Sequence, residues 1–244
     1  MTFDDGPHPV LTPKLLDLLK ERNIKATFYV VGTNAKAYPD ILRRIIAEGH
    51  EIGNHTWSHV SLTKSTPGTV ASQLNQTSQA IFDAVGEKPT TMRPPYGAIN
   101  PRLVDRIHSE FGMKVILWTV DPLDWRRPGP SVVAQRIIQG VHPGAIILSH
   151  DIHPGTIAAM PQVFDTLLKE GYTFVTVSEL LAMDESASSS PSPSPSSTPL
   201  PNVRFELGTS PEDIPVFKDE GSRKELLPRK TEKGGITITP PAQE

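Results

Sequence analysis

Two adjacent carboxylates open the chain, in Thr2-Phe3-Asp4-Asp5-Gly6-Pro7, and two imidazoles follow in His55-Thr56-Trp57-Ser58-His59. One carboxylate and two imidazoles make three protein ligands for a divalent ion. They leave one coordination position open for water and a second carboxylate beside it as a base. That set is sufficient for metal-assisted hydrolysis. Three further polar clusters lie downstream: Arg93-Pro94-Pro95-Tyr96-Gly97, Asp121-Pro122-Leu123-Asp124-Trp125 and Leu148-Ser149-His150, with Asp151 next to the last.

Taken singly, each cluster has an ordinary explanation. Two acids ahead of Gly-Pro suit a turn. A His-x-x-x-His pair often arises without a metal, Arg93 to Gly97 reads as a rigid turn, and Trp125 as core. Position along the chain changes their weight. Leu15, Leu18 and Leu19 share a helical face, and 25–31 reads as a strand; Ile41, Leu42, Ile45 and Ile46 mark a helix before a short strand at 51–53. Val70, Leu74, Ile81 and Val85 stripe a longer helix, with Pro67 suited to its first turn and a strand beginning at Thr91. Helices at 101–111, around Val132 to Ile138 and at 161–168 alternate with strands at 114–120, 145–149 and 174–177. Ser178 is placed to cap a last helix.

Alternating units of this length imply a parallel sheet, and their number favours closure. The expected fold class is α/β: a small, distorted and incomplete (β/α) barrel of TIM-like form. Every polar cluster then falls at the C-terminal end of a strand, and in such barrels those ends converge on one face that carries the chemistry. Packing alone does not place five polar clusters there.

Composition divides the chain. Residues 1–183 hold the regular apolar runs and read as the catalytic domain, with a first strand that is cut short. Residues 184–201 are Ser- and Pro-rich and read as a linker; 202–244 are polar and read as a disordered tail, too poor in apolar surface to offset ordering entropy. The formal net charge of −3 is spread along the chain without a basic face, which argues against nucleic acid as a partner. There is no cysteine, hence no disulfide or thiolate chemistry. No apolar run is long enough to span a membrane. Met1 runs straight into the acidic motif without a signal peptide, weak evidence about location in a chain read as starting inside a strand.

In this order the five clusters resemble the motifs of the NodB-homology polysaccharide deacetylases, carbohydrate esterase family 4. The resemblance covers nearly all of residues 2–181 and none of the tail. It implies that Asp5, His55 and His59 hold the metal, usually Zn2+ with Co2+ or another divalent ion as substitute. It further implies that Asp4 is the general base and His150 the acid that protonates the leaving amine. Arg93 would pair with Asp4, and Asp124 would orient His150, although Asp121 could serve instead. The backbone N–H of Tyr96 would help hold the oxyanion on a loop stiffened by Pro94 and Pro95, and Trp125 and Leu148 would line the sugar groove. Because neighbours in an extended segment point opposite ways, Asp4 and Asp5 are expected to face apart.

The other histidines have plainer expectations. His8, His50, His108 and His142 sit at turns or helix ends, with surface or capping roles, while His153 lies near enough to His150 for a supporting or substrate role. The implied function is removal of N-acetyl groups from an acetylated glycan polymer, peptidoglycan or chitin-like, by a monomer that is extracellular or wall-associated. The competing readings are an O-acetyl xylan esterase on the same site, a non-catalytic glycan-binding module, a glycosidase using Asp4 and Asp124, and an inactive fragment.

Overall fold

A computed structural model of the protein describes residues 1–189, together with Arg229–Lys230 and Ile236–Thr237, which pair antiparallel with each other. The remainder of the 184–201 linker and 202–244 tail readings lies outside the described residues.

Five strands form a parallel sheet in sequence order: β1 (Thr2–Asp4), β2 (Thr27–Val30), β3 (Glu51–Asn54), β4 (Thr91–Met92) and β5 (Lys114–Val115). Helices α1 (Leu11–Glu21), α2 (Gly32–Ala37), α3 (Pro39–Ala47), α4 (Pro67–Val85) and α5 (Pro101–Phe111) connect them. Then come α6 (Pro130–Gly140), α7 (Pro154–Lys169) and α8 (Val177–Ser189). The ends of α4 and α5 are held by side-chain caps and left-handed glycines. The Thr66 side chain accepts from Thr69 N–H ahead of Pro67, and α4 stops at Gly86 with φ 80°. Asn100 caps α5 at Leu103 N–H, and Gly112 ends it at φ 67°.

The sheet closes through irregular backbone bonds. Thr2 N–H donates to Ile147 O at 3.0 Å and Asp4 N–H to Ser149 O at 2.9 Å; on the other side Leu148 N–H donates to Val120 O at 2.9 Å. The outer edge of β1 is thereby occupied, so the expected strand at 174–177 has no edge left to join. Val177 instead begins α8. The cap of that helix is Thr176, not Ser178: Thr176 Oγ1 accepts from Glu179 N–H, and Glu179 Oε2 accepts from Thr176 N–H, a reciprocal box. The helix expected from Pro161 starts earlier, at Pro154, a residue suited to a first helical turn.

The core lies between the sheet and its helices. Phe3 and Phe28 stack at 5.5 Å on adjacent strands, and Leu15, Leu16 and Leu19 of α1 are fully buried with them. Met160, Val163 and Phe164 of α7 seal the closing seam beside Ile137 of α6. Opposite the strand C-termini, Glu51 accepts from Thr27 Oγ1, Thr91 Oγ1, Ser178 N–H and Ser178 Oγ, pinning the start of α8 to the barrel floor.

Candidate active site

The C-terminal ends of the strands surround a cleft lined by Asp4, Asp5, His55, His59, Pro94, Tyr96, Trp118, Asp121, Leu123, Trp125, Arg126, Leu148 and His150. All five sequence clusters reach it. Pro95 does not line it: Pro95 is buried beneath the turn, and Pro94 faces the cleft in its place. Trp118 lines it without having been singled out in sequence, where it reads as one more apolar strand residue.

Asp4 ends β1, and Asp5 turns out of the strand at φ 74°. The alternation expected of an extended segment is therefore lost, and the two acids do not face apart. Asp5 Oδ1 lies 3.4 Å from His55 Nε2 and 3.3 Å from His59 Nε2, while Asp4 Oδ2 lies 3.8 Å from His55 Nε2. Gly6 follows, and a Cβ there would overlap both carboxylate oxygens of the buried Asp151, so only glycine lets the turn pass. The Asp151 carboxyl, buried and facing the charge of Asp5, is pushed up to about 7 despite the Thr12 hydroxyl that donates to it.

The residues fit a divalent ion. Asp5 Oδ1 is buried without a hydrogen-bond partner, and ligand atoms of Asp5, His55 and His59 all lie within 4.8 Å of one another. His55 Nδ1 lies 2.7 Å from Arg93 O. A carbonyl can only accept, so Nδ1 carries the proton and Nε2 keeps its lone pair toward Asp5. Burial opposes ionisation of Asp5, but the surrounding imidazoles of His55, His150 and His59 outweigh it and hold the carboxyl well below its ordinary range. Burial lowers His59, favouring the neutral form a ligand needs.

Arg93 is fully buried and holds Asp4. Its Nη1 donates to Asp4 Oδ1 and to Thr2 Oγ1, both at 2.7 Å; Nε and Nη2 donate to Ile116 O and Leu117 O at 3.3 and 3.1 Å. The guanidinium also lies over Tyr29, 4.3 Å from the ring centroid. One side chain thus joins β1, β2 and the segment after β5.

Of the two acids left open, Asp124 is the partner of His150. Its Oδ1 lies 2.8 Å from His150 Nδ1, and its Oδ2 accepts from His150 N–H at 2.8 Å and Thr156 Oγ1 at 2.7 Å. Asp121 accepts from Leu123 N–H and holds its own loop. Burial disfavours charging His150, but the hydrogen bond and charge of Asp124, with Asp4 and Asp5 nearby, push it up to about 9. The imidazole is therefore a cation below that pH and can donate at neutrality. Turnover that needs this proton falls as pH rises through His150's value, and Asp124→Asn removes its strongest support. The alkaline limb of kcat should then move down toward the ordinary imidazole range near about 6.5. A cation on Asp5 lowers the limb in both proteins, so the difference between paired pH–rate profiles is the test. Coincident limbs would rule out His150 as the titrating donor.

Tyr96 adopts φ 62°, and its ring meets His59 edge-on at 4.7 Å. Thr56, His59 and Leu123 are likewise left-handed, at φ 66°, 56° and 54°. His153 stands behind the cleft, 5.9 Å ring to ring from His150, in a separate small cavity with Asp124 and Thr156. His8 caps α1 as expected, accepting from Val10 and Leu11 N–H. His50 departs from expectation: it is buried, accepts from Ala26 N–H, packs edge-on against Phe28, and is lowered to about 4 by burial.

A parallel α/β barrel carries at its mouth a carboxylate–imidazole cradle that could hold a divalent ion. Comparison with known proteins identifies the family. The polysaccharide deacetylase family model matches residues 1–116. The chain is 43% identical over 180 residues to peptidoglycan-N-acetylglucosamine deacetylase PgdA of Listeria monocytogenes, covering 74% of this chain and 38% of that protein. It is 41% identical over 155 residues to a chitooligosaccharide deacetylase of Bradyrhizobium sp., covering 63% of this chain and 70% of that one. The solved structure of peptidoglycan deacetylase PdaC from Bacillus subtilis superposes with a TM-score of 0.72 at 39% identity, over 77% of this chain and 91% of the other. The chain belongs to the polysaccharide deacetylase family, carbohydrate esterase family 4. It spans little more than a third of the Listeria relative. Among the described residues, no helix is long and apolar enough to cross a membrane.

Proposed function

We propose that this chain is a metal-dependent hydrolase that removes N-acetyl groups from N-acetylglucosamine-containing glycan, with peptidoglycan foremost and chitin-like oligomers as soluble surrogates. The observation that supports it most is the buried, partnerless Asp5 Oδ1 facing the His55 and His59 Nε2 atoms, with a carboxylate held by Arg93 and an imidazole held by Asp124 in the same cleft.

A divalent ion held by Asp5, His55 and His59, zinc first among the candidates, would supply Lewis acidity to water and to the acetyl carbonyl. Asp4 takes a proton as the water oxygen adds to the acetyl carbon. Arg93 keeps Asp4 in one orientation throughout. His150 gives its proton to the sugar nitrogen as the carbon–nitrogen bond breaks, because an amine leaves poorly unless protonated. Acetate and a free amino sugar result. Trp125, Leu148 and the Tyr96 loop form the walls against which sugar and methyl rest. A polymeric wall substrate favours an extracellular or wall-associated site.

Acetate release from a soluble N-acetylglucosamine oligomer should vanish after chelation and return on addition of zinc. A folded protein that releases none in either state would overturn the reading in favour of a glycan-binding module. The amide and ester readings separate at His150. His150→Ala should lower N-deacetylation by about 10³-fold, within the usual reach of general acid–base catalysis, and O-acetyl ester cleavage far less, since an alkoxide needs less help to leave. Equal losses on both substrates would defeat that assignment of the acid.

A further inference from the structure

The cleft carries one cation that the chemistry above does not use. Arg126 ends the short turn Asp124–Arg126 and lines the cleft beside Trp125 and Leu123. Its guanidinium lies over the Trp125 ring, 4.7 Å from the centroid. The other arginine near the centre, Arg93, is buried and committed to Asp4. Arg126 is exposed to the cleft, and among the described residues no carboxylate lies within ion-pair distance of it.

The backbone that carries this cation is tied to the groups of the cleft. Leu123 and Arg127 bracket the turn in left-handed conformations, φ 54° and 53°, and Arg126 N–H and Arg127 N–H donate to Leu123 O and Asp124 O. Asp124, two residues before Arg126, holds His150. A guanidinium over an aromatic face still has N–H groups to offer, and its fork of donors matches the two oxygens of a carboxylate. A neutral sugar offers nothing of that kind.

We propose that Arg126 is a specificity-determining residue that takes a carboxylate carried on the glycan near the sugar being deacetylated, so that acidic N-acetylated strands are favoured over neutral ones. The proposal rests on the deacetylase reading and specifies its substrate class. A strand whose amino sugars bear carboxylic acid side-arms would seat one acid on Arg126 while a neighbouring acetamido group enters the cleft.

The test uses one soluble oligomer in two forms, with its carboxylates intact and with them converted to amides of nearly equal size. In the wild type, kcat/KM for the acidic form should exceed that for the amide form by about fivefold, the scale of a screened ion pair. Salt should shrink the ratio. Arg126→Gln should bring it close to one, mainly through KM, and Arg126→Lys should keep part of it. A wild-type ratio of one, or a ratio that survives in Arg126→Gln, overturns the proposal; so does an equal loss on both forms, which would make Arg126 a mere support for Trp125. The same comparison by direct binding to metal-stripped protein separates the two hypotheses. Acid-selective binding by a protein that releases no acetate even after zinc is restored would defeat the catalytic reading and leave Arg126 assigned, whereas acetate release by the zinc-restored protein without selectivity would do the reverse.

Discussion

Asp4→Asn should lower kcat for acetate release by about 10³-fold, the middle of what a general base contributes, while leaving bound metal close to one equivalent. The two outcomes go together for a geometric reason. Asp4 ends its strand with Oδ1 held by Arg93 at 2.7 Å, and its other oxygen is 3.8 Å from His55 Nε2. Asp5, not Asp4, supplies the carboxylate oxygen at 3.3–3.4 Å from both imidazoles. Asparagine keeps an oxygen for Arg93 but cannot take a proton. Turnover within about tenfold of wild type would place the base elsewhere. Lost turnover together with lost metal would move Asp4 into the ligand set.

The second large effect is on stability. Arg93→Leu should cost about 3–5 kcal/mol, because it leaves Asp4 as a buried carboxylate without its countercharge. It also strips donors from Thr2, Ile116 and Leu117. For a domain of this size that is a fall in Tm of roughly 10 °C. Arg93→Lys should recover only part, since an ammonium cannot serve a carboxylate, a hydroxyl and two carbonyls spread around a planar fork. Urea or thermal melts of the two variants decide it; a loss below about 1 kcal/mol in Arg93→Leu would mean that the buried pair is held by neighbours that tolerate its removal.

Arg93 also explains where the sequence misleads. Residues 114–120 read as one continuous strand, yet only Lys114–Val115 pairs regularly. The carbonyls of Ile116 and Leu117 turn to the guanidinium instead of to a neighbouring strand. Apolar runs report burial, not which partner takes each carbonyl, so a side chain more than twenty residues away in sequence is invisible to them. The segment 174–177 fails for a similar reason, because the edge of β1 was already filled by 147–149. The backbone turn at Asp5 was equally hidden: strand alternation gave the two acids opposite faces, and the left-handed conformation of Asp5 itself removed that alternation. What was legible was the coincidence of five polar clusters with strand ends, and the cleft is built from those clusters. The spacing could not choose between Asp121 and Asp124 because both follow the same strand; hydrogen bonding chose.

The left-handed backbone around the mouth bears on how such a chain can change over generations. Asp5, Thr56, His59, Tyr96 and Leu123 each carry a side chain where the polypeptide favours glycine, at roughly 1 kcal/mol apiece. Glycine at Asp5, His59, Tyr96 or Leu123 would relax the backbone and erase a side chain that lines the cleft. Random drift toward a sturdier protein therefore runs directly into loss of the cleft, while the helices and floor can vary with no such conflict. A lineage that kept all five would be one in which selection on the mouth outweighed selection on sturdiness. A relative released from catalysis would be expected to give up its left-handed residues early.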